Sequence, residues 1–391
     1  MNGKKMVILG GGFGGVEAAI VAAKARYDVT LVSNRDYIYL YPISIWIPTS
    51  EIHPESARVS LRELSQKHDF AFEKDEVVGI DSSANTVMLK NQSLQYDSLV
   101  VALGGSKAPM PGIEKTLSIC GTPENAEEIK EKLNQLIAGG RGRIAFGFGG
   151  NPKDSSAVRG GPVFELMFNV EKMLRKKNVR DKFELTFFAP MAEPGKKMGD
   201  KAYALIDGML EKRNIRSRKG IKITGFEEGA VRFEDQSVLQ SDLILFTPAS
   251  LGHPVLRSAG LPVSDAGFVE VDDWCRVKGL ENVYAIGDSA HIEGPDWIAK
   301  QGHVAEIMAR VAIKDIVMSD KEKGLRASQG YGAQLSIVCV MDTGDGAAFV
   351  KRTRKKSSVF VLPIVGHWMK KGWGVYWKKS RLRVLPRLPG M

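Results

Sequence analysis

Cysteine is scarce in this chain: three among 391 residues, Cys120, Cys275 and Cys339, with no C-x-x-C pair and no zinc-like spacing. That argues against a disulfide scaffold and against a structural metal site. The six histidines (His53, His68, His253, His291, His303 and His367) show neither an H-E-x-x-H pattern nor clustering, so none is assigned as a metal ligand. No apolar run reaches the ~18 residues a membrane-spanning helix needs. The chain enters an apolar strand at Met6, which leaves no room for a secretory signal, and a cytoplasmic location is the expectation. Acidic residues are absent after Asp345.

That last absence concentrates the charge. The net charge is +10, yet twelve Lys and Arg residues fall between Lys351 and Arg387, so the rest of the chain is slightly acidic. Three of the six tryptophans (Trp368, Trp373 and Trp377) lie in the same stretch, among Val359, Phe360, Val361, Leu362, Ile364, Tyr376, Leu382 and Leu385. A basic tail is read as a nucleic-acid site, an anionic membrane surface or a solvated face. Aromatic and aliphatic residues interleaved with cations favour the membrane surface and speak against nucleic acid. Pro386 and Pro389 are expected to stop any helix near the terminus.

Two glycine-rich signatures are what the chain does have. Met6-Val7-Ile8-Leu9 runs into Gly10-Gly11-Gly12-Phe13-Gly14-Gly15 and then a helical pattern, while Val283-Tyr284-Ala285-Ile286 ends in Gly287-Asp288. An apolar strand feeding G-x-G-x-x-G gives a tight turn, a close backbone approach to a pyrophosphate and a helix N-terminus facing that anion. A strand ending in Gly-Asp places a carboxylate to accept hydrogen bonds from a polyol. The pair points to FAD, with Gly10, Gly12 and Gly15 at the pyrophosphate and Asp288 at the ribityl chain.

Further contacts are expected from Phe13, Gly14, Asn34, Arg35, Pro42, Val77, Ala102, Gly104, Gly287 and Gly302. The second strand ends at Ser33 where a carboxylate is usual, so a hydroxyl would serve the adenosine ribose. Lys300, just before a helix opening at Gly302, is placed to stabilise charge on a reduced ring, with a solvent-exposed lysine as the rival reading.

A second α/β unit begins near residue 111. Its strand Arg143-Ile144-Ala145-Phe146 leads into Gly147-Phe148-Gly149, but the third fingerprint position is Pro152, and the next strand ends in Ala189-Pro190 with no carboxylate for a ribose. This has the architecture of an NADH domain without its binding chemistry. The fold class expected is α/β, with two Rossmann-like dinucleotide-binding domains and a C-terminal membrane-interface segment. Residues 1–110 and 246–330 would form the FAD domain, 111–245 the second unit and 331–391 the C-terminal segment.

With these residues in place, the chain resembles the sulfide:quinone oxidoreductases. The likeness runs through Asp36-Tyr37, Tyr41-Pro42, Leu117-Ser118-Ile119-Cys120, Gly161-Pro162 with Glu165, Lys300 with Gly302 and Glu306, Val338-Cys339 and the aromatic basic tail. It implies FAD, sulfide oxidation through cysteines, a membrane quinone as acceptor and a tail that binds the membrane and forms the quinone pocket. The family's chemistry usually uses three cysteines. Cys120 and Cys339 match two, but Arg159 stands at the third position and Cys275 is a core residue rather than a substitute.

Arg159 is therefore expected to face Cys339 and either lower its pKa or bind an anionic sulfur species. Cys339, Cys120, Arg159 and Lys300 are the candidate catalytic residues. Three readings stay open: a membrane-associated enzyme passing electrons from a sulfur compound to quinone, a type II NADH dehydrogenase-like enzyme, and a non-catalytic flavoprotein subunit or sensor. A homo-oligomer is compatible with each.

Overall fold

A computed structural model describes residues 3–388; Pro389 lies outside the described residues. The opening strand Lys5–Leu9 is the centre of a five-stranded parallel sheet ordered 71–74, 28–33, 5–9, 98–101, 283–285. Met6 to Leu9 and Ser98 to Val101 are buried throughout, as expected of strands covered on both faces. From the central strand the chain first builds outward on one side, then crosses to strand Ser98–Val101 on the other. The fingerprint turn lies at the carboxyl end of this switch point, where open α/β sheets form their ligand crevice.

The second unit repeats the plan. Its parallel sheet is ordered 216–219, 183–189, 142–148, 243–247. In both units a three-stranded antiparallel meander precedes the return to the sheet, at Val77–Asp81, Thr86–Leu89 and Ser93–Gln95 in the first and Ile223–Glu227, Ala230–Phe233 and Val238–Gln240 in the second. One boundary differs from the sequence reading. Strand Leu243–Thr247 pairs with strand Gly142–Phe148, so it belongs to the second sheet, and the chain leaves that unit after Thr247.

The C-terminal segment is an antiparallel sheet of Ile337–Asp342, Gly346–Arg352 and Ser357–Pro363, followed by helix Val365–Arg381. That helix is built inside out. Its buried positions, Gly366, His367, Lys370, Gly374, Trp377, Ser380 and Arg381, fall on one stripe at helical spacing and are mostly polar. Its large apolar residues Val365, Trp368, Met369 and Val375 are exposed. The helix ends at Arg381, five residues before Pro386, so the proline is not what stops it. No helix among the described residues is long and apolar enough to cross a membrane.

Candidate active site

The glycines of the first fingerprint divide their work as a dinucleotide requires. Gly10 has φ 113°, and a Cβ there would strike the carbonyl of Ala102, so it makes the tight turn beside the neighbouring strand. A Cβ at Gly15 would strike the carbonyl of Gly10, which packs the helix close on the turn. Gly12 is different: nothing lies within 4 Å of its would-be Cβ. It is the open face of the cradle, and the helix it caps has no side-chain cap on its free amides. Gly14 lets the same helix approach Ile286 and Ala305. These residues fit the pyrophosphate of FAD.

Around that turn the remaining candidates spread along one crevice. Ser33 is buried, its Oγ accepts from Arg35 N at 3.2 Å, and its carbonyl accepts from Asp75 N at 3.1 Å, two residues before Val77. Asn34 is exposed beside them. At the other end Gly104 N donates to Ser289 Oγ at 2.9 Å, tying the Ala102–Gly104 turn to Gly287-Asp288-Ser289. Pro42 opens the short helix Tyr41–Ser44, whose Tyr41 hydroxyl donates to the carbonyl of Gly121, next to Cys120, at 3.2 Å.

Asp288 is paired with Arg159, and this corrects the sequence reading of that arginine. Arg159 lies at the Asp288 end of the site and acts electrostatically on Cys120, not on Cys339. Burial raises the Cys120 thiol, with Arg159 and Thr247 opposing it. Cys339 is in strand Ile337–Asp342, and burial together with Glu165 pushes its thiol up to about 12 against the pull of Lys370. The expected Arg159-stabilised thiolate at Cys339 is therefore absent from this arrangement. Cys275 is fully buried with its Sγ 3.6 Å from the carbonyl of Met308, as expected of a core residue.

Lys300 is buried and not a surface lysine. Its Nζ donates to the Ala290 carbonyl and stands 3.9 Å from the centre of the Phe268 ring. Burial lowers its pKa to about 8, against the charges of Asp288 and Asp154.

Sequence reasoning missed how the tail closes this site. The rings of Phe13, in the fingerprint, and Trp377 meet edge to face at 5.1 Å, and Gly302 also lies against the Phe13 ring. Trp377 Nε1 donates to Glu306 at 2.9 Å, Arg381 binds Glu306 at 2.7 Å, and Glu17 of the fingerprint helix receives Arg310 at 3.0 Å and Arg387 at 2.8 Å. Farther along, Lys370 pairs with Glu165, Lys371 with Glu51 at 2.6 Å, and His367 bridges Asp342 at 2.7 Å and Glu51 at 3.1 Å. Several tail cations are thus neutralised inside the protein. A Glu within the small apolar run Val16-Glu17-Ala18-Ala19 was the one local sign of this network.

The fold and the cradle define a two-unit flavoprotein of the oxidoreductase class. Residues 4–311 match the model of the pyridine nucleotide-disulphide oxidoreductases, and the chain belongs to that family. The protein is an FAD-binding oxidoreductase. The sulfide-quinone reductase of Aquifex aeolicus is 26% identical over 375 residues, covering 88% of this chain and 83% of the relative. A demethylphylloquinone reductase of Synechocystis is 26% identical over 308 residues, covering 75% of this chain and 72% of the relative. The solved structure of the Aquifex aeolicus sulfide:quinone oxidoreductase superposes with a TM-score of 0.86 at 23% identity, covering 97% of this chain and 92% of that one.

Proposed function

We propose that this protein is a peripheral membrane enzyme that passes electrons from sulfide or a related sulfur compound, through FAD, to a quinone. FAD supplies two-electron acceptance from the donor and onward transfer to the acceptor. Gly10, Gly12 and Gly15 would hold its pyrophosphate, Ser33 its ribose, Asp288 its ribityl chain, and Lys300 would offset charge at the ring.

The observation that carries the acceptor side is the inverted tail. Ten large apolar residues between Phe360 and Leu388 are exposed, including Ile364 at 69% and Trp368 at 65%, while the face of the same helix that reaches Phe13 is buried. A patch this dense is a binding surface rather than ordinary solvent-facing chain. Exposed Lys355, Lys356, Lys379 and Arg383 beside it suit anionic headgroups. Ile364 holds φ 57°, a conformation that costs about 1–3 kcal/mol for a non-glycine residue, at the exposed corner between sheet and helix. A quinone arriving from such a surface would be one ring, Trp377, away from the fingerprint loop.

On the donor side, Cys120 beside Arg159 favours an anionic sulfur compound. The rival donor, NADH, is disfavoured by the second unit's own loop. Asn151 Oδ1 accepts from the amides of Lys153 at 3.0 Å and Asp154 at 3.1 Å, and a Cβ at Gly147 would meet the Phe188 ring. Amides that a second pyrophosphate would need are thus bound internally. Anaerobic flavin bleaching with sulfide, NADH and NADPH in turn tests the proposal. Sulfide should bleach the flavin fast; rapid bleaching by NADH with none by sulfide would replace this reading with the NADH one.

A further inference from the structure

Beside Lys300 lies a buried carboxylate that the site as described does not use. Asp154 sits in the irregular loop replacing the second fingerprint, with its side chain only 6% exposed. Its Oδ1 accepts from Ser156 N at 2.9 Å and Ser156 Oγ at 2.6 Å. Its Oδ2 is buried with no hydrogen-bond partner among the described residues, and His291 Nδ1 stands 3.5 Å from it.

Two segments grip Lys300, and both belong to this pair. Lys300 N donates to the Ser156 carbonyl at 3.0 Å, and Nζ donates to the carbonyl of Ala290, the residue before His291. We propose that Asp154, steadied by His291, is a positioning residue that keeps Lys300 an ammonium ion and thereby tunes the two-electron potential of the flavin. This rests on the reading that Lys300 faces the flavin ring.

The charge balance around Lys300 singles out Asp154. Asp288 exerts the larger pull on the ammonium, but it is paired with Arg159, whose own charge repels Lys300. Phe268 and the Ala290 carbonyl solvate only part of a buried cation. Lys197, whose Nζ donates to the Ser155 carbonyl at 2.5 Å, feels the charges of both Asp154 and Asp296. Asp154 is thus the second carboxylate balancing Lys300, and the one without an arginine partner. It is ionised at working pH: burial opposes its charge, but His291, Ser156 and Lys300 outweigh that and lower its pKa to about 2. With Lys300 falling to about 8, a neighbouring charge decides its state near neutrality.

Reduction places negative charge on the flavin and so raises the pKa of a facing lysine. Above the lysine's pKa in the oxidised protein, reduction draws in an extra proton and the potential falls more steeply with pH. The experiment is a redox titration of the flavin from pH 6 to 10 in the wild type, Asp154→Asn, Asp154→Glu and Lys300→Met. In the wild type the steeper slope should begin near pH 8. Asp154→Asn should move that onset down by about one pH unit, a tenfold change worth about 30 mV for two electrons, so its potential at pH 8 falls by that amount.

Asp154→Glu should restore the wild-type onset, and Lys300→Met should remove the break. An unshifted onset in Asp154→Asn, with the break gone in Lys300→Met, overturns the role of Asp154 alone. A break that persists in Lys300→Met overturns the underlying reading that Lys300 faces the flavin. If Asp154→Asn loses its flavin, Asp154→Ser carries the same expectation, and an unshifted onset there is equally fatal.

Discussion

Phe13 and Trp377, 364 positions apart in the chain, meet edge to face with ring centroids 5.1 Å apart. One ring belongs to the loop that would hold the FAD pyrophosphate and the other to the C-terminal helix. An aromatic pair of this kind contributes about 0.5–1.5 kcal/mol beyond its buried area. Its larger effect is positional, because it couples the inside-out C-terminal helix to the cofactor cradle.

The fingerprint glycines should fail in different ways. Gly12→Val puts side-chain atoms into open space that the pyrophosphate would fill, so the protein should fold and lack flavin. Gly15→Val drives a side chain into the Gly10 carbonyl and should compromise folding itself. Circular dichroism and the flavin absorbance of purified protein separate the two. A folded Gly12→Val protein with full flavin content would remove Gly12 from the binding site.

Arg381, 1% exposed, should be worth more to stability than any other tail cation. Arg381→Met strands Glu306 and Glu17 in the interior with fewer cations, at a cost of about 3–5 kcal/mol. The double variant Arg381→Met with Glu306→Gln should recover part of that loss, because the charge left behind is removed. Urea unfolding of the set measures it. A single variant within 1 kcal/mol of wild type would mean the network carries no net stabilisation. For the same reason, cutting the chain at Ser357 should do more than detach it from membranes. It would uncover Phe13 and leave Glu165, Glu306 and Glu51 without tail partners.

Local signals and long-range pairing account for what the sequence disclosed. The cradle was legible because each glycine's role depends on a few neighbouring residues, and Pro152 marked the second fingerprint as broken before any geometry was known. The tail was half legible. Its aromatic and basic composition marked a surface, but composition does not say which cations point inward, and Lys370, Lys371 and Arg381 find partners in Glu165, Glu51 and Glu17, hundreds of residues away. Arg159 was misplaced for the same reason. Its position in the chain gave no hint that Asp288 would pair with it. Asp154 and His291 belong to no motif, and the burial of Asp154 comes from the fold.

Membrane attachment should reside in the exposed ridge and not in the helix as a whole. Phe360, Ile364 and Trp368 are 59%, 69% and 65% exposed, so replacing all three with serine leaves the core largely intact, at the loss of the Trp368 contacts to His367 and Lys371. Each large side chain buried in lipid contributes about 1.5–3 kcal/mol, enough together to shift most of the protein into the soluble fraction. Vesicle flotation should therefore drop sharply while melting temperature and flavin content stay unchanged. High salt should release only part of the wild type, because apolar burial is not screened. Flotation of the triple variant at wild-type level would place the contact elsewhere.

The cysteines should separate by surroundings. Burial raises all three thiols, but at Cys120 it is opposed by Arg159 and Thr247, whereas burial and Glu165 push Cys339 to about 12 and burial raises Cys275 well above the usual range. Iodoacetamide at pH 8 should therefore modify Cys120 first, Cys339 much more slowly and Cys275 only on unfolding. Arg159→Met should slow the Cys120 reaction by about tenfold, the effect of a one-unit rise in thiol pKa. Sulfide-driven flavin reduction should then be lost in Cys120→Ser while reduction by dithionite is kept. In Cys339→Ser the same loss would show that this thiol also takes part in the sulfur chemistry despite its raised pKa. Mass spectrometry of the alkylated peptides and stopped-flow bleaching supply both readouts. Faster alkylation of Cys339 than of Cys120, or unchanged sulfide reduction in both serine variants, would overturn the assignment of the sulfur chemistry to these thiols.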